Sequence, residues 1–264
     1  MVLKFYTYIS LFISFISYSQ EHINVEYKVS PNNFLIESQL SSVKDKIVQD
    51  SSILKEEGIK FEAFETFKKS FQLLDQMVMY LKATKKESYY WGENRLSSDY
   101  DVLAYKTAEI MIDGKSKFYT SLDENLVLKW KNIFGENFII EINLNENNWK
   151  LTKEAKLIGN YRCLKAISTY VISNSKGNFT KQVTAWYCPE IPYNFGPKNY
   201  SGLPGLILEL IDDKIIYTAN NISFKSDEVE INQLPKGKHI TQEKLDAIAE
   251  KLMEERKQES IQRN

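Results

Sequence analysis

Between Ile23 and Val29 apolar and polar residues alternate as Ile-Asn-Val-Glu-Tyr-Lys-Val. That period of two marks a strand with one buried face, and it is expected to open a sheet. From Ser41 to Gly58 the chain is polar, serine-rich and charged, with Ile47, Ile53 and Leu54 as scattered apolar positions, and reads as a weak helix or an ordered loop. Phe61, Phe64, Phe67, Phe71 and Leu74 then recur at steps of three and four, the stripe of a helix lying on the sheet over about 59–75. Met77–Ala83 and Ser88–Trp91 read as a hairpin turning at Lys85-Lys86, and Glu109–Ile112 with Lys117–Thr120 as a second hairpin turning at Asp113-Gly114. Short strands follow at Asn125–Trp130, Phe138–Asn143 and Trp149–Thr152.

The clearest pair is Tyr161–Ile172 with Phe179–Cys188, joined by Asn174 to Asn178. Placing Asn174 opposite Gly177 sets Leu164 against Tyr187, Ala166 against Ala185 and Ile172 against Phe179 on one face, expected to be the core. Cys163 then faces Cys188 on the other face. Leu206–Ile211 is apolar enough to be buried on both faces, and Ile215–Phe224 is the last strand expected. Beyond it, 226–264 is a charged tail in which Thr241 caps a helix with Leu245, Ile248, Leu252 and Met253 on a narrow stripe, and Glu243 suits the helix dipole. From Glu254 the end is expected to be disordered. The fold expected is mainly β within the α+β class: a curved antiparallel meander over 20–225 with one packed helix in its N-terminal half and a C-terminal helix.

The first nineteen residues stand apart. Lys4 precedes a run, Phe5 to Ile16, that is apolar apart from Thr7, Tyr8, Ser10 and Ser14, and Ser17-Tyr18-Ser19 places small residues where a signal peptidase reads. A spanning helix needs about 20 apolar residues, so the segment reads as a signal peptide cut before Gln20. Export to the periplasm or outer membrane follows. The first cysteine is Cys163, so no lipid-anchored form is expected. Removing 1–19 takes away one lysine and no acid, leaving a nearly neutral chain without a nucleic-acid footprint.

Candidate chemistry is thin. In an oxidising compartment the Cys163 and Cys188 pair can form a disulfide, since facing positions of a non-hydrogen-bonded pair lie about 4.5 Å apart, at the short edge of what a bridge accepts. His22 and His239 are the only histidines, and no Cys-x-x-Cys spacing occurs, which argues against a metal site and a His-based hydrolase. Both histidines read as exposed. Glu190, Glu209, Asp212 and Asp213 offer a carboxylate pair only in principle, because charges bordering turns are usually solvated. With 10 glycines, phosphate-cradling loops are disfavoured and no cofactor is implied.

The densest stretch is Ala185-Trp186-Tyr187-Cys188-Pro189-Glu190-Ile191-Pro192, then Gly196-Pro197, Tyr200, and Gly202-Leu203-Pro204-Gly205-Leu206-Ile207-Leu208-Glu209. Pro204 before Gly205 fits a type II turn, and Gly202 a close approach. Trp186, Tyr187, Pro192 and Tyr200 are the candidate binding surface, and Gly202, Pro204 and Gly205 the structural turn. This chain resembles the GLPGLI family of exported bacterial envelope proteins, on the string Gly202 to Ile207, on Tyr161 with Cys163-Leu164-Lys165-Ala166, and on the Ala185 to Tyr200 residues above. Cys188 departs from the family pattern, so the bridge is read from this chain alone. The resemblance implies an uncharacterised envelope protein, often encoded near outer-membrane transport components, and carries over no catalytic residue. The expectation is a non-enzymatic binding or accessory protein with an envelope partner. The alternatives are a carrier of an apolar, lipid-like ligand on the concave sheet and, third, a hydrolase using carboxylates.

Overall fold

The computed structural model describes residues 22–33, 36–37, 54–93, 101–133, 135–144, 147–174, 177–226, 231, 234–248, 251, 255 and 258. The segment 1–19 expected to be a signal peptide, most of the Ser41–Gly58 stretch and most of the chain beyond Glu254 lie outside them. The described chain is mainly β. Its strands are β1 (His22–Pro31), β2 (Val78–Ala83), β3 (Glu87–Gly92), β4 (Lys117–Ser121), β5 (Leu126–Ile133), β6 (Glu136–Asn143), β7 (Lys150–Ile158), β8 (Tyr161–Asn174), β9 (Gly177–Cys188), β10 (Leu206–Asp212), β11 (Ile215–Lys225) and β12 (Lys238–Ile240). Two helices, α1 (Leu54–Leu74) and α2 (Val102–Ile112), are inserted before β2 and β4.

All the strands join one 12-stranded sheet in the order β12-β6-β5-β4-β3-β2-β1-β11-β10-β9-β8-β7. Two meanders, β2 to β6 and β7 to β11, therefore run outward from a central seam. β1 does not open the sheet as expected: it is the seam, antiparallel to β2 on one side and to β11 on the other. Its inward residues Ile23, Val25, Tyr27 and Val29 are all buried. His22, expected exposed, is also buried, opposite Lys225 of β11. Irregular pairing at Glu26/Tyr27, Leu151/Ala155 and Ile207/Glu209 interrupts the ladders, and such bulges increase twist and bend a sheet.

The apolar side is filled by the helices and by the connection 189–205. On α1, Phe71 and Leu74 are buried and Phe67 packs at the margin, as the three-and-four spacing requires. α2 corrects an expectation, because Glu109–Ile112 is the last turn of a helix and not a strand. The Asp101 carboxylate accepts from the Ala104 N–H, and Ala104, Ala108 and Ile112 are buried at helical spacing. Asp113, with φ 58, is the helix C-cap, so Asp113-Gly114 ends a helix where a hairpin turn was expected. β12 was also unexpected. It lies parallel to β6 over Phe138 to Ile140, and Leu245 in the following helical residues 242–248 is buried against Phe138 and Ile140. Part of the charged tail is thus built into the sheet and its core.

The β8–β9 register is the expected one, with Leu164 opposite Tyr187, Ala166 opposite Ala185 and Ile172 opposite Phe179. Its expected core face is buried over the inner half of the hairpin, at Ala166, Ser168, Val183, Ala185 and Tyr187, while Phe179 is 45% exposed. The long hairpin outruns the layer that covers it. No disulfide joins Cys163 and Cys188: both are free, buried thiols. They stand at the end of the ladder, which starts at Leu164–Tyr187. Burial, then the neighbouring Cys188, pushes the Cys163 thiol up to about 12, and burial also raises Cys188. Thiols held protonated are poor nucleophiles. Two thiols per chain are therefore expected to react with a disulfide reagent in urea without reductant, and neither at pH 8 in the folded state. Finding no thiol in urea would restore the bridge.

Candidate functional site

The connection between β9 and β10 folds onto itself before it meets the rest of the protein. The Ile191 N–H donates to Cys188 O, Leu206 N–H to Ile191 O, Ile207 N–H to Phe195 O and Gly202 N–H to Asn194 O. Phe195 and Ser201 form an isolated antiparallel bridge. Ile191, Tyr193 and Phe195 point inward and are buried, while Pro192 and Asn194 between them are exposed; Leu203 and Gly205 are likewise buried, Gly202 and Pro204 exposed. Bonds from Tyr193 N–H to Ile191 O and from Gly205 N–H to Leu203 O, each 2.8 Å, close three-residue turns centred on Pro192 and Pro204. Proline's fixed φ suits the centre of such a turn. The type II turn expected at Pro204-Gly205 is therefore not formed, and Leu206 N–H is drawn off to Ile191 O instead.

The two glycines do different work. Gly202 has φ +85 with open space where a Cβ would stand, so it is there for its backbone angle and not for the close approach expected of it. Gly205 has φ +149, and a Cβ on it would sit 2.2 Å from Cys188 O. The loop is then tied down from outside. The Tyr27 hydroxyl donates to Ile207 O at 2.7 Å. Lys85 Nζ donates to Pro192 O at 3.0 Å and lies 3.8 Å over the Tyr193 ring. Trp149 Nε1 donates to Ser201 O and Asn147 Nδ2 to Asn199 O, each at 2.8 Å.

These braces scatter the aromatic and proline residues picked out from the sequence. Tyr187 and Tyr200 are buried, Pro192 is exposed, and Trp186 lies half-buried on the face opposite Tyr187. Lys156 and Lys165 cover its ring, 4.5 and 5.9 Å from the centroid. The four do not share one surface, because strand alternation separates Trp186 from Tyr187 and the loop folds Tyr200 inward.

What the loop carries inward instead is a lysine. Lys198, with φ 57, pairs with Asp212 at 2.9 Å, and the Tyr170 hydroxyl donates to the same carboxylate at 3.1 Å. The side chains of Lys198 and Asp212 are only 15% and 11% exposed. A second buried pair joins Asp113 to Lys129, with Lys131 at 3.2 Å and the Ser116 hydroxyl at 2.7 Å. Burial alone would raise Asp113, but Lys129, Lys131 and Ser116 overcome it and hold its carboxyl well below the usual range. Burial would lower Lys198, but Tyr217 and Tyr200 where ionised, and the Asp212 carboxylate at neutral pH, keep it well above its ordinary value. Burial pushes Tyr217 up to about 12 and raises Tyr90, Tyr170 and Tyr200. These shifts fix Lys198 as a cation, Asp113 as an anion and the phenols as neutral at pH 7. Such groups orient and brace, whereas proton transfer needs a group poised near the working pH.

The four carboxylates considered from the sequence do not pair with one another. Glu209 is held by Lys156 at 2.7 Å, Asp212 by Lys198, Asp213 by Lys181 at 3.1 Å, and Glu190 is exposed. Among the described residues no group of three or more His, Cys, Asp and Glu is placed to hold a metal ion, and no described helix is long and apolar enough to cross a membrane.

Beside the loop lies an open cleft of about 960 Å³. Asn199 from the loop and Asn125 from the β4–β5 turn line it, together with Ile139 to Asn143 along β6 (Ile140 excepted) and His239 to Lys244. Its lining combines isoleucines with amide and hydroxyl groups, and two glutamates, Glu141 and Glu243, face one lysine, Lys244. Nothing in the sequence marked it, since its residues come from four separated segments.

A family model described as a protein of unknown function (Porph_ging) matches residues 174–209, the stretch that holds β9, the braced loop and the start of β10. No curated protein matches. Two solved structures of PNGF-II, in C2 and P21 space groups, are similar to this chain at 12% and 13% identity with a TM-score of 0.48. The match covers 86% of this chain and 32% of theirs, so the chain spans about a third of their length.

Gly205→Ala is expected to cost roughly 3 kcal/mol in urea unfolding, and Gly202→Ala about 1 kcal/mol, because only the first also forces a backbone clash. Equal losses would remove the close approach as the reason for Gly205. Asp113→Asn keeps a residue that tolerates the left-handed cap but loses the ion pair. A depressed carboxyl stabilises the fold fully above its unfolded value, about 4, and loses that contribution as the pH falls further. The variant is therefore expected to be less stable by roughly 2 kcal/mol at pH 7 and by clearly less at pH 3. An unchanged difference at the two pH values would exclude the pair as its source.

Proposed function

We propose that this chain is an exported, non-enzymatic binding protein of the bacterial envelope, of the GLPGLI kind, and that it holds a partner in the cleft between β6, the 239–244 segment and Asn199. The observation that carries this reading is the position of the cleft. Its Asn199 wall belongs to a loop braced by Lys85, Asn147 and Trp149, so the cleft loses little freedom when it is filled, and preorganisation of this kind favours binding. The signal-like first nineteen residues support export. The interior favours binding over catalysis, since the buried charges are locked in pairs and three of the four candidate carboxylates are each engaged by a lysine. An apolar carrier is less well supported: the inward side of the sheet is occupied by Tyr27, Tyr187, Tyr193 and Phe195 of the chain itself.

A photo-crosslinking residue at Gln242, inside the cleft, is expected to capture a defined partner in the native cell envelope, and one at Leu157, on the far edge of the sheet, is not. The capture is expected to disappear in Asn199→Arg, which crowds the cleft without touching the core. Capture that survives Asn199→Arg, or that is equal at Leu157, would rule out this cleft.

A further inference from the structure

Part of β8 has a neighbour on one side only. β9 pairs with it without a break from Leu164 to Asn174, but β7, on its other side, reaches no further than Lys150 opposite Ile167. The hairpin joining β7 to β8 turns at Gly159-Asn160, with Ile158 opposite Tyr161. Residues flanking a two-residue hairpin loop exchange their main-chain bonds in both directions, and such pairs recur at every second position along an antiparallel ladder. Tyr161, Cys163 and Ile167 therefore turn their N–H and C=O groups toward β7, and the same alternation points those of Thr169, Val171 and Ser173 to that side. Among the described residues no strand lies opposite these three. Thr169 is exposed and Val171 is 59% exposed, as are Gly177 to Thr180 on the paired strand, so this end of the ribbon stands clear of the body.

Nothing in the sequence guards this edge. Exposed strand edges are ordinarily blunted by lysine, proline or a bulge, and β7 carries Lys150, Lys153, Lys156 and an irregular step between Leu151 and Ala155. Ser168-Thr169-Tyr170-Val171-Ile172-Ser173 has no charge, glycine, proline or irregular step, and is mostly strong strand formers. The other edge of the ribbon, Gly177 to Gln182, has glycine, asparagine and lysine, and is the poorer template.

We propose that the free edge of β8 pairs with the same edge of a second copy of the chain, antiparallel about a two-fold axis at Ile172, so that the two β8–β9 ribbons form one continuous sheet. A second copy supplies the matching row of donors and acceptors by symmetry alone, and the contact is complete once two molecules have met. With this centre, Val171 of each copy lies opposite Ser173 of the other, and both residues turn their main-chain groups outward. A centre at Val171 is blocked, because it would bring residue 175 of the second copy opposite Ile167, a place that Lys150 holds. At Ile172 the second copy's strand ends instead with Asn174 opposite Tyr170. No charged residue between Ser168 and Ser173 is brought against its own copy, so the like-charge repulsion that disfavours cross-strand pairs does not arise. None of these residues lines the cleft, so pairing at β8 and binding in the cleft are independent.

Sedimentation equilibrium of the full mature chain, with amide exchange by NMR, tests this. A reversible monomer–dimer equilibrium is expected between about 10 μM and 1 mM, in keeping with a small interface, and protection of the Val171 and Ser173 amides is expected to rise with protein concentration. Val171→Pro removes an N–H that has no partner within one molecule, so urea unfolding of the monomer is expected to stay close to that of the parent chain. Dimerisation is expected to weaken at least about tenfold, since the bond is lost in both copies. Thr180→Pro, on the other edge of the ribbon, is expected to dimerise as the parent does. A monomer throughout the concentration range would overturn the proposal, as would a dimer that survives Val171→Pro. A Val171→Pro monomer that unfolds at much lower urea would also overturn it, because the N–H would then already be bonded within the chain.

Discussion

Residues His22–Pro31 have to find Ile215–Lys225 on one side and Val78–Ala83 on the other before either half of the sheet has an inner edge to grow from. That pairing is among the most non-local in the chain, and non-local strand pairing has to overcome loop-closure entropy before its contacts form. Tyr27 strengthens it at one point. Its ring packs edge-on against Tyr90 of one meander, and its hydroxyl bonds Ile207 of the other, 180 positions away. A single residue of β1 therefore ties the two halves of the sheet to the start of β10.

The connection 189–205 depends on that seam. Its inward residues fill the space over β1, β10 and β11, and Lys198 reaches Asp212 at the end of β10. A buried ion pair is weak evidence for stability, because desolvation opposes the attraction. Here it has a positional role: Lys198 adopts a left-handed backbone angle that an ordinary side chain avoids, and the pair with Asp212 holds it there. Asp113 does the same at the end of α2, where one carboxylate serves the lysines of β5 and the Ser116 hydroxyl while its backbone caps the helix. The rigid side of the cleft, through Asn199, is a consequence of this bracing.

Much of the architecture was readable along the chain wherever a segment buries one face against a regular neighbour. The β8–β9 register followed from one hairpin, since facing a single pair of residues determines all the others. The stripe of α1 was legible down to Phe71 and Leu74. α2 was missed because its last turn, Glu-Ile-Met-Ile, has no polar interval, and four apolar-rich residues do not separate a helix from a strand. β12 was missed for the opposite reason: three residues in a charged stretch have no period at all, and only the waiting edge of β6 makes them a strand.

For the site, the density of proline, glycine and aromatic residues from Ala185 to Glu209 drew attention to one corner, and the positive φ of Gly205 is local enough to be read from its sequence, but the type II turn expected there is replaced by a tighter one because Ile191 takes the Leu206 N–H. The facing of Tyr187 followed from the hairpin register, but the burial of Tyr200 did not, because it packs against Trp149, which lies before β7 and is distant in the chain. The sequence by itself determined the mainly β character, the register of the β8–β9 hairpin and the positive φ of Gly205, all of which depend on neighbours a few residues apart. Only the tertiary structure decided that the first strand sits at the centre, that Lys198 is buried against Asp212, and that one edge of the sheet opens on a cleft. Each of these rests on groups brought together from distant parts of the chain, whose energies exist only once the sheet has closed around its seam.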